Sequence, residues 1–306
     1  MSNVSAAAIP RLRGVIAAIA TPVDDSGPDH ARLILLARHL LGSGCHGLNL
    51  LGTTGEATSF SVEQRMAVMS AVAQAGLPLD RMMVGTGAAA MADAITLSRH
   101  AASLGFAGVL LLPPFYYKPV TTAGLIAYVR RIIESTALPA IPVYLYNFPA
   151  LSGITYTPPL IAELVKEFGT RIAGLKDSSG NLPYAKEVAA LSDTLAVFPS
   201  SEEHLLAARA GPFAGCISAT ANINSSDCRN AFDSGDATAL ARAVAQRKLF
   251  DGLPLIPAIK YLLAEILGEP RLAQVMPPLA PLTADEAGAV RSRFGRVAST
   301  TDPLLE

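Results

Sequence analysis

Short, predominantly apolar runs recur along the chain, each followed by a segment whose apolar residues return every three or four positions. The runs are Val15–Ala20, Gly47–Leu51, Met82–Val84, Gly108–Leu112, Pro142–Asn147, Ile172–Lys176, Leu195–Pro199 and Gly215–Ala219. Strands without polar alternation suit a parallel sheet covered on both faces. The intervening segments carry helix signals. Leu33, Leu36, Ala37, Leu40 and Leu41 form one stripe after Asp29, and Ser61-Val62-Glu63-Gln64 has capping-box spacing. Ile95 and Leu97 mark a third helix, and Leu125, Val129, Ile132 and Ile133 a fourth. Thr157-Pro158 is a cap with proline at the first helical position, ahead of Leu160, Leu164 and Phe168. Thr21-Pro22, Gly42-Ser43-Gly44 and Pro113-Pro114 punctuate the pattern. Beyond Ala219 only helical periodicity remains, from about Asp236 to Gly268 and from about Ala284 to Arg296. Eight strand–helix units predict an α/β fold, a (β/α)8 TIM barrel over residues 14–235, with a C-terminal helical segment at 236–306 packed on it. An open doubly wound sheet is the structural alternative.

Composition narrows the function more than the fold. Of 306 residues, 51% are apolar and 16% charged, and the formal net charge of −1 has no basic or acidic block behind it. Neither nucleic acid nor an anionic membrane surface is an expected partner. No run approaches the 18 apolar residues of a membrane span, and Met1–Gly14 lacks the apolar core of a signal peptide. Cys45, Cys216 and Cys228 are far apart and lack C-x-x-C spacing, which argues against a disulfide framework or a zinc site. The expected location is the cytoplasm.

In a barrel of this kind the chemistry belongs at the C-terminal strand ends. Those ends present Thr53 and Thr54, Tyr116 and Tyr117, Tyr146, Lys176, then Ser200, Ser201, Glu202 and Glu203, and finally Ser218 and Thr220. Lys176 stands out among six lysines because it closes an apolar run bounded by Ser178, Ser179 and Gly180. A buried amine has its pKa lowered and becomes a nucleophile for a carbonyl; the alternative is a rim lysine paired with Asp177. The five histidines are scattered and form no metal cluster, so no metal and no cofactor is expected. Lysine, hydroxyls and phenols together suit Schiff-base chemistry on a 2-keto acid. The Gly52-Thr53-Thr54-Gly55 turn offers hydroxyls and N–H groups to a carboxylate, and a tyrosine can shuttle protons. The turn can equally be a tight strand-to-helix connection, Tyr146 a packed core aromatic, and Glu202 and Glu203 first-turn carboxylates that favour a helix dipole. Gly85-Thr86-Gly87-Ala88-Ala89-Ala90 imitates a dinucleotide fingerprint but lacks the acid at the end of the next strand.

Gly52-Thr53-Thr54-Gly55-Glu56, Tyr146-Asn147-Phe148-Pro149-Ala150-Leu151-Ser152-Gly153 and Gly174-Leu175-Lys176-Asp177 resemble the dihydrodipicolinate synthase / N-acetylneuraminate lyase family, in the family's order from about Gly14 to Pro281. The resemblance implies a class I, pyruvate-type aldolase in which Lys176 forms the Schiff base and Tyr146 transfers protons. It implies that Thr53 and Thr54 bind the keto-acid carboxylate and relay protons, and that Tyr116 reaches a neighbouring subunit's site. Ile217 matches the strand-eight position facing the pyruvoyl group, and Gly52, Glu202 and Ala219 complete the substrate-side candidates. Members are usually tetramers built as dimers of dimers. The synthase pattern has an arginine where this chain has Leu151, and a leucine offers no bidentate fork. The sialic-acid pattern is also departed from, at Ser201-Glu202-Glu203 and at Ala219. The expectation is therefore an aldolase joining pyruvate and an aldehyde, on a 2-keto-3-deoxy sugar acid. A dehydratase or deaminase using the same iminium, a dihydrodipicolinate-type synthase, and a keto-acid-binding protein without turnover are the alternatives.

Overall fold

A computed structural model describes residues 11–301. The opening residues 1–10, most of the stretch read above for a leader, and residues 302–306 of the C-terminal segment lie outside the described residues. The eight apolar runs are eight parallel strands: β1 (Gly14–Ala18), β2 (Gly47–Leu50), β3 (Met82–Gly85), β4 (Gly108–Leu111), β5 (Val143–Asn147), β6 (Ile172–Asp177), β7 (Ala196–Pro199) and β8 (Gly215–Ser218). They hydrogen-bond in the order β8-β1-β2-β3-β4-β5-β6-β7. Closure between β7 and β8 runs through the Ala214 N–H, which donates to the Val197 carbonyl at 2.9 Å. The sheet is thus a (β/α)8 barrel.

One helix follows each strand: α1 (His30–Gly42), α2 (Val62–Gln74), α3 (Met91–Leu104), α4 (Thr122–Ser135), α5 (Pro158–Phe168), α6 (Leu182–Ala189), α7 (Leu205–Ala210) and α8 (Ala221–Ser234). Asp29 caps α1, and Ser61 and Gln64 form the reciprocal capping box of α2. Every strand position is buried because alternate side chains serve two different cores. Val15 and Ala17 of β1 or Val143 and Leu145 of β5 pack outward against helices. Ile16, Ala18, Met83, Leu110, Tyr144, Phe198 and Ile217 fill the barrel itself. Burial on both faces is the physical reason the strands read as continuous apolar runs.

The C-terminal segment holds α9 (Ala237–Arg247), α10 (Leu255–Leu267) and α11 (Ala284–Thr301). The helical stretch expected from Asp236 to Gly268 is broken: a 3-10 turn at Lys248–Phe250 leads to Gly252, in the left-handed region at φ 74°, and Pro254. Buried Leu249 and Phe250 keep apolar spacing through the break, so periodicity hides it. A short hairpin, Val23–Asp24 with Gly27–Pro28, was absent from the sequence reading. No helix among the described residues is long and apolar enough to cross a membrane.

Candidate active site

The turn after β2 is built from unusual backbone. Leu51 and Glu56 take left-handed φ values of 51° and 54°, a conformation that costs non-glycine residues of order 1–3 kcal/mol each. Burial holds Leu51 in place, and two hydrogen bonds hold the Glu56 carboxylate. The Lys260 ammonium, buried in α10, donates to Glu56 Oε1 and, at 2.8 Å, to the Thr21 carbonyl, while the Met276 N–H donates to Glu56 Oε2 at 2.7 Å. The bracketed segment Gly52–Gly55 is thereby fixed at the mouth of the barrel. The amides of Thr53 and Thr54 donate to no acceptor among the described residues. Gly85 belongs to the same construction: a Cβ there would sit 2.1 Å from the Leu51 carbonyl oxygen. The buried Arg65 guanidinium ties the Gly85 and Gly87 carbonyls together. The nucleotide-like glycines therefore serve close packing.

Lys176 and Tyr146 are register partners on β6 and β5, both inside the barrel. Lys176 is 4% exposed, and its Nζ lies 4.4 Å from the Tyr146 ring centroid. Asp177, next in the strand, points the other way. It accepts from Asn147 Nδ2 at 2.8 Å, from the Ser179 N–H at 3.1 Å and from Ser179 Oγ at 2.9 Å. Among the described residues Lys176 forms no ion pair with a carboxylate, so the rim-pair alternative fails. Burial by itself would push the Tyr146 phenol up; the charge of Lys176 and hydrogen bonds with Thr53, Ser178 and Lys176 outweigh it and hold the phenol below its ordinary value. Thr53 Oγ1 and the Tyr146 hydroxyl are 3.3 Å apart.

A cavity of about 390 Å³ opens above this pair and brings most of the sequence-derived candidates together: Thr53, Thr54, Tyr146, Lys176, Ile217 and Ala219 all line it. A second cavity of about 460 Å³ continues from it, sharing Thr53 and Tyr146, and adds Gly52. Two candidates are placed elsewhere. Tyr116 is 75% exposed, stacks edge-on against Tyr117 at 5.4 Å between centroids, and lines neither cavity within its own chain. Glu202 also lines neither and is fully buried, so as a direct substrate contact it is corrected: both its oxygens are already bonded. Oε1 accepts from Ser218 Oγ at 2.6 Å and from Thr220 Oγ1, and Oε2 accepts from Arg247 Nη1 at 3.0 Å.

Further walls of the site come from residues the sequence analysis named without assigning them a role and from residues it did not name. Ser178 and Ser200 extend the strand ends, Leu151 comes from the single turn Pro149–Ser152, and Phe148 is the residue that caps it. Arg247, Leu255, Ile256 and Leu279 arrive from the C-terminal segment. Ser200 and Leu151 stood within motifs already singled out; nothing in the helical periodicity distinguished Arg247 from a solvated cation. The three thiols lie outside the site, buried and unpaired, and burial pushes that of Cys45 up to about 12.

Known proteins match this chain over most of its length. The model of the dihydrodipicolinate synthetase family matches residues 11–294. A DapA-like lyase of Chloroflexus aurantiacus is 37% identical over 299 residues, 95% of this chain and 99% of its own length. A 4-hydroxy-tetrahydrodipicolinate synthase of Parasynechococcus marenigrum is 32% identical, over 89% of this chain and 90% of its own length. Among solved structures, YagE of E. coli K12, determined in complex with pyruvate, superposes with a TM-score of 0.84 at 26% identity, covering 94% of this chain and 98% of that one.

Proposed function

The chain belongs to the dihydrodipicolinate synthetase family and is a lyase of that family, and from this premise we propose that it makes or breaks the carbon–carbon bond between pyruvate and an aldehyde through an imine on Lys176. The observation that carries the reading is the buried amine of Lys176 set against the Tyr146 ring at the wall of a substrate-sized cavity. Pyruvate as the keto acid draws on the complex of the related YagE.

In cleavage, the neutral amine adds to the C2 ketone of a 2-keto-4-hydroxy acid and water leaves, giving the imine. Tyr146 takes the proton of the C4 hydroxyl, the C3–C4 bond breaks, and the aldehyde departs as the bonding pair moves into the iminium. The resulting enamine is protonated at C3 and hydrolysed, returning the lysine and releasing pyruvate. The depressed Tyr146 phenol favours its part as proton acceptor, and Thr53, at 3.3 Å, passes the proton on. Thr53 and Thr54 supply amides and hydroxyls for the carboxylate. No cofactor enters this scheme.

The hydroxyls of Ser178 and Ser200 beside Lys176 favour a hydroxylated partner, and the substrate class proposed is a 2-keto-3-deoxy sugar acid. Leu151, which also lines the cavity, offers no charged donor for a dicarboxylate in the synthase manner. A multimer in which a second copy supplies Tyr116, and a cytoplasmic location matching three unpaired thiols, belong to the same proposal. Lys176→Ala tests it: release of pyruvate from 2-keto-3-deoxygluconate should vanish while the thermal melt stays cooperative, and retained turnover would refute the imine.

A further inference from the structure

Among the described residues the buried asparagines are Asn49, Asn147, Asn222 and Asn224, and three of them are saturated. Asn147 donates to Asp177 and accepts from the Tyr156 N–H. Asn222 donates to the Ala18 carbonyl and accepts from the Ala20 N–H. Asn224 donates to the Ala243 carbonyl and accepts from the Cys228 thiol. Asn49, on β2 and 0% exposed, has a partner for neither Nδ2 nor Oδ1. Its neighbours Leu48 and Leu50 pack outward, and its register partners Ala18 and Met83 belong to the barrel core, so the amide points into the barrel. There it lies against the turn that opens the site: a Cβ on Gly52 would sit 2.5 Å from Asn49 Nδ2. Gly52 and Thr53 in turn line the cavity beside Tyr146. A primary amide buried without hydrogen bonds costs stability, and an apolar residue of like shape would not. Water is the ligand small enough to share such a place, and buried waters bond groups of this kind.

We infer that Asn49 is a positioning residue for water in the imine steps: its amide holds the molecule that the carbinolamine releases and that returns to hydrolyse the product imine. The inference rests on the aldolase reading above and deepens it. Addition of the Lys176 amine to C2 leaves the former ketone oxygen as a hydroxyl. That hydroxyl takes the Tyr146 phenol proton and departs as water with the C2–O bonding pair, while the nitrogen lone pair closes the C=N bond. Tyr146 is left as the phenolate that takes the C4 hydroxyl proton. Once the aldehyde has gone and C3 is protonated, water adds to C2 and the same steps run backward. The barrel core around Asn49 is apolar at Ala18 and Met83, and the amide alone offers the departing molecule two donors and an acceptor.

Rapid mixing with pyruvate, a borohydride quench and intact mass give the rate of imine formation. Loading with carbon-13-labelled pyruvate and chasing with unlabelled pyruvate before the quench gives the rate of hydrolysis. Asn49→Leu keeps the branched shape and removes the hydrogen bonds. Both rates should fall by about tenfold, the scale of one or two neutral hydrogen bonds. The fraction of Lys176 trapped at equilibrium should stay native, because forward and reverse slow together, and the thermal melt should not drop. Asn49→Ser, which keeps a partner for water, should recover part of both rates. If leucine is too bulky to fold against Gly52, Asn49→Ala carries the same kinetic expectations. Native rates in a folded Leu or Ala variant overturn the inference. So does a trapped fraction that falls with the rates, which makes the amide a structural support of the site. No adduct on Lys176 in the native protein overturns the aldolase reading and this one with it; an adduct in the native protein leaves the variants to decide the role of Asn49 alone.

Discussion

Lys176 and Asp177 are neighbours in sequence and strangers in space. Strand alternation sends the carboxylate to Asn147 and Ser179 and the amine to the Tyr146 ring. The same alternation made the lysine legible in advance, since a cation ending a fully apolar run has nowhere to go but the barrel mouth. Glu202 was not legible. Its position after β7 is equally compatible with a substrate contact, a helix-dipole carboxylate or the anchor of a distant arginine, and only the arrival of residue 247 decides. Tyr146 carries the sharpest expectation at this scale. Tyr146→Phe keeps the ring over Lys176 but removes the proton carrier, so kcat should fall by about 10²–10⁴-fold while pyruvate can still be trapped on the lysine. A loss of less than tenfold would assign proton transfer elsewhere.

Among the elements, the turn between β2 and α2 shows how far a local motif depends on remote chain. Its strained ends persist because Glu56 is clamped by Lys260 and by the Met276 amide, 204 and 220 positions away. Burial pushes the Lys260 amine below its ordinary value in spite of the attraction of Glu56. Removing one member of a buried pair leaves the other charge without compensation. Lys260→Met should therefore cost about 3–5 kcal/mol in urea unfolding, and adding Glu56→Gln should recover part of that loss. A single variant as stable as the native chain would mean that the clamp does not hold the turn. The motif Gly52–Glu56 was legible as a site, but its support was not, because sequence spacing carries no information about a partner two hundred residues on. The barrel strands, in contrast, were legible almost to the residue, since burial on both faces writes itself into every position.

For the whole molecule, the C-terminal segment completes the site as well as covering the barrel. Leu255, Ile256, Leu279 and Arg247 line the cavity that also holds Lys176. The reading of residues 236–306 as an appendage placed it on the barrel but did not see it at the chemistry. Tyr116 raises the converse issue, since it stands exposed beside Tyr117 and away from its own cavities. A phenol so placed acts in catalysis only through a second copy of the chain. Tyr116→Phe should then slow turnover by about tenfold or more without moving the thermal melt, in a protein that sediments as a multimer. Full activity, or a monomer that is fully active, would remove Tyr116 from the relay.

The imine on Lys176 is the claim on which the rest stands. Intact mass after incubation with pyruvate and borohydride, followed by peptide mapping, tests it directly. One reduced pyruvoyl unit on Lys176, absent in Lys176→Ala, is the expected result; a folded protein that gains no mass, or gains it on another lysine, would contradict the account.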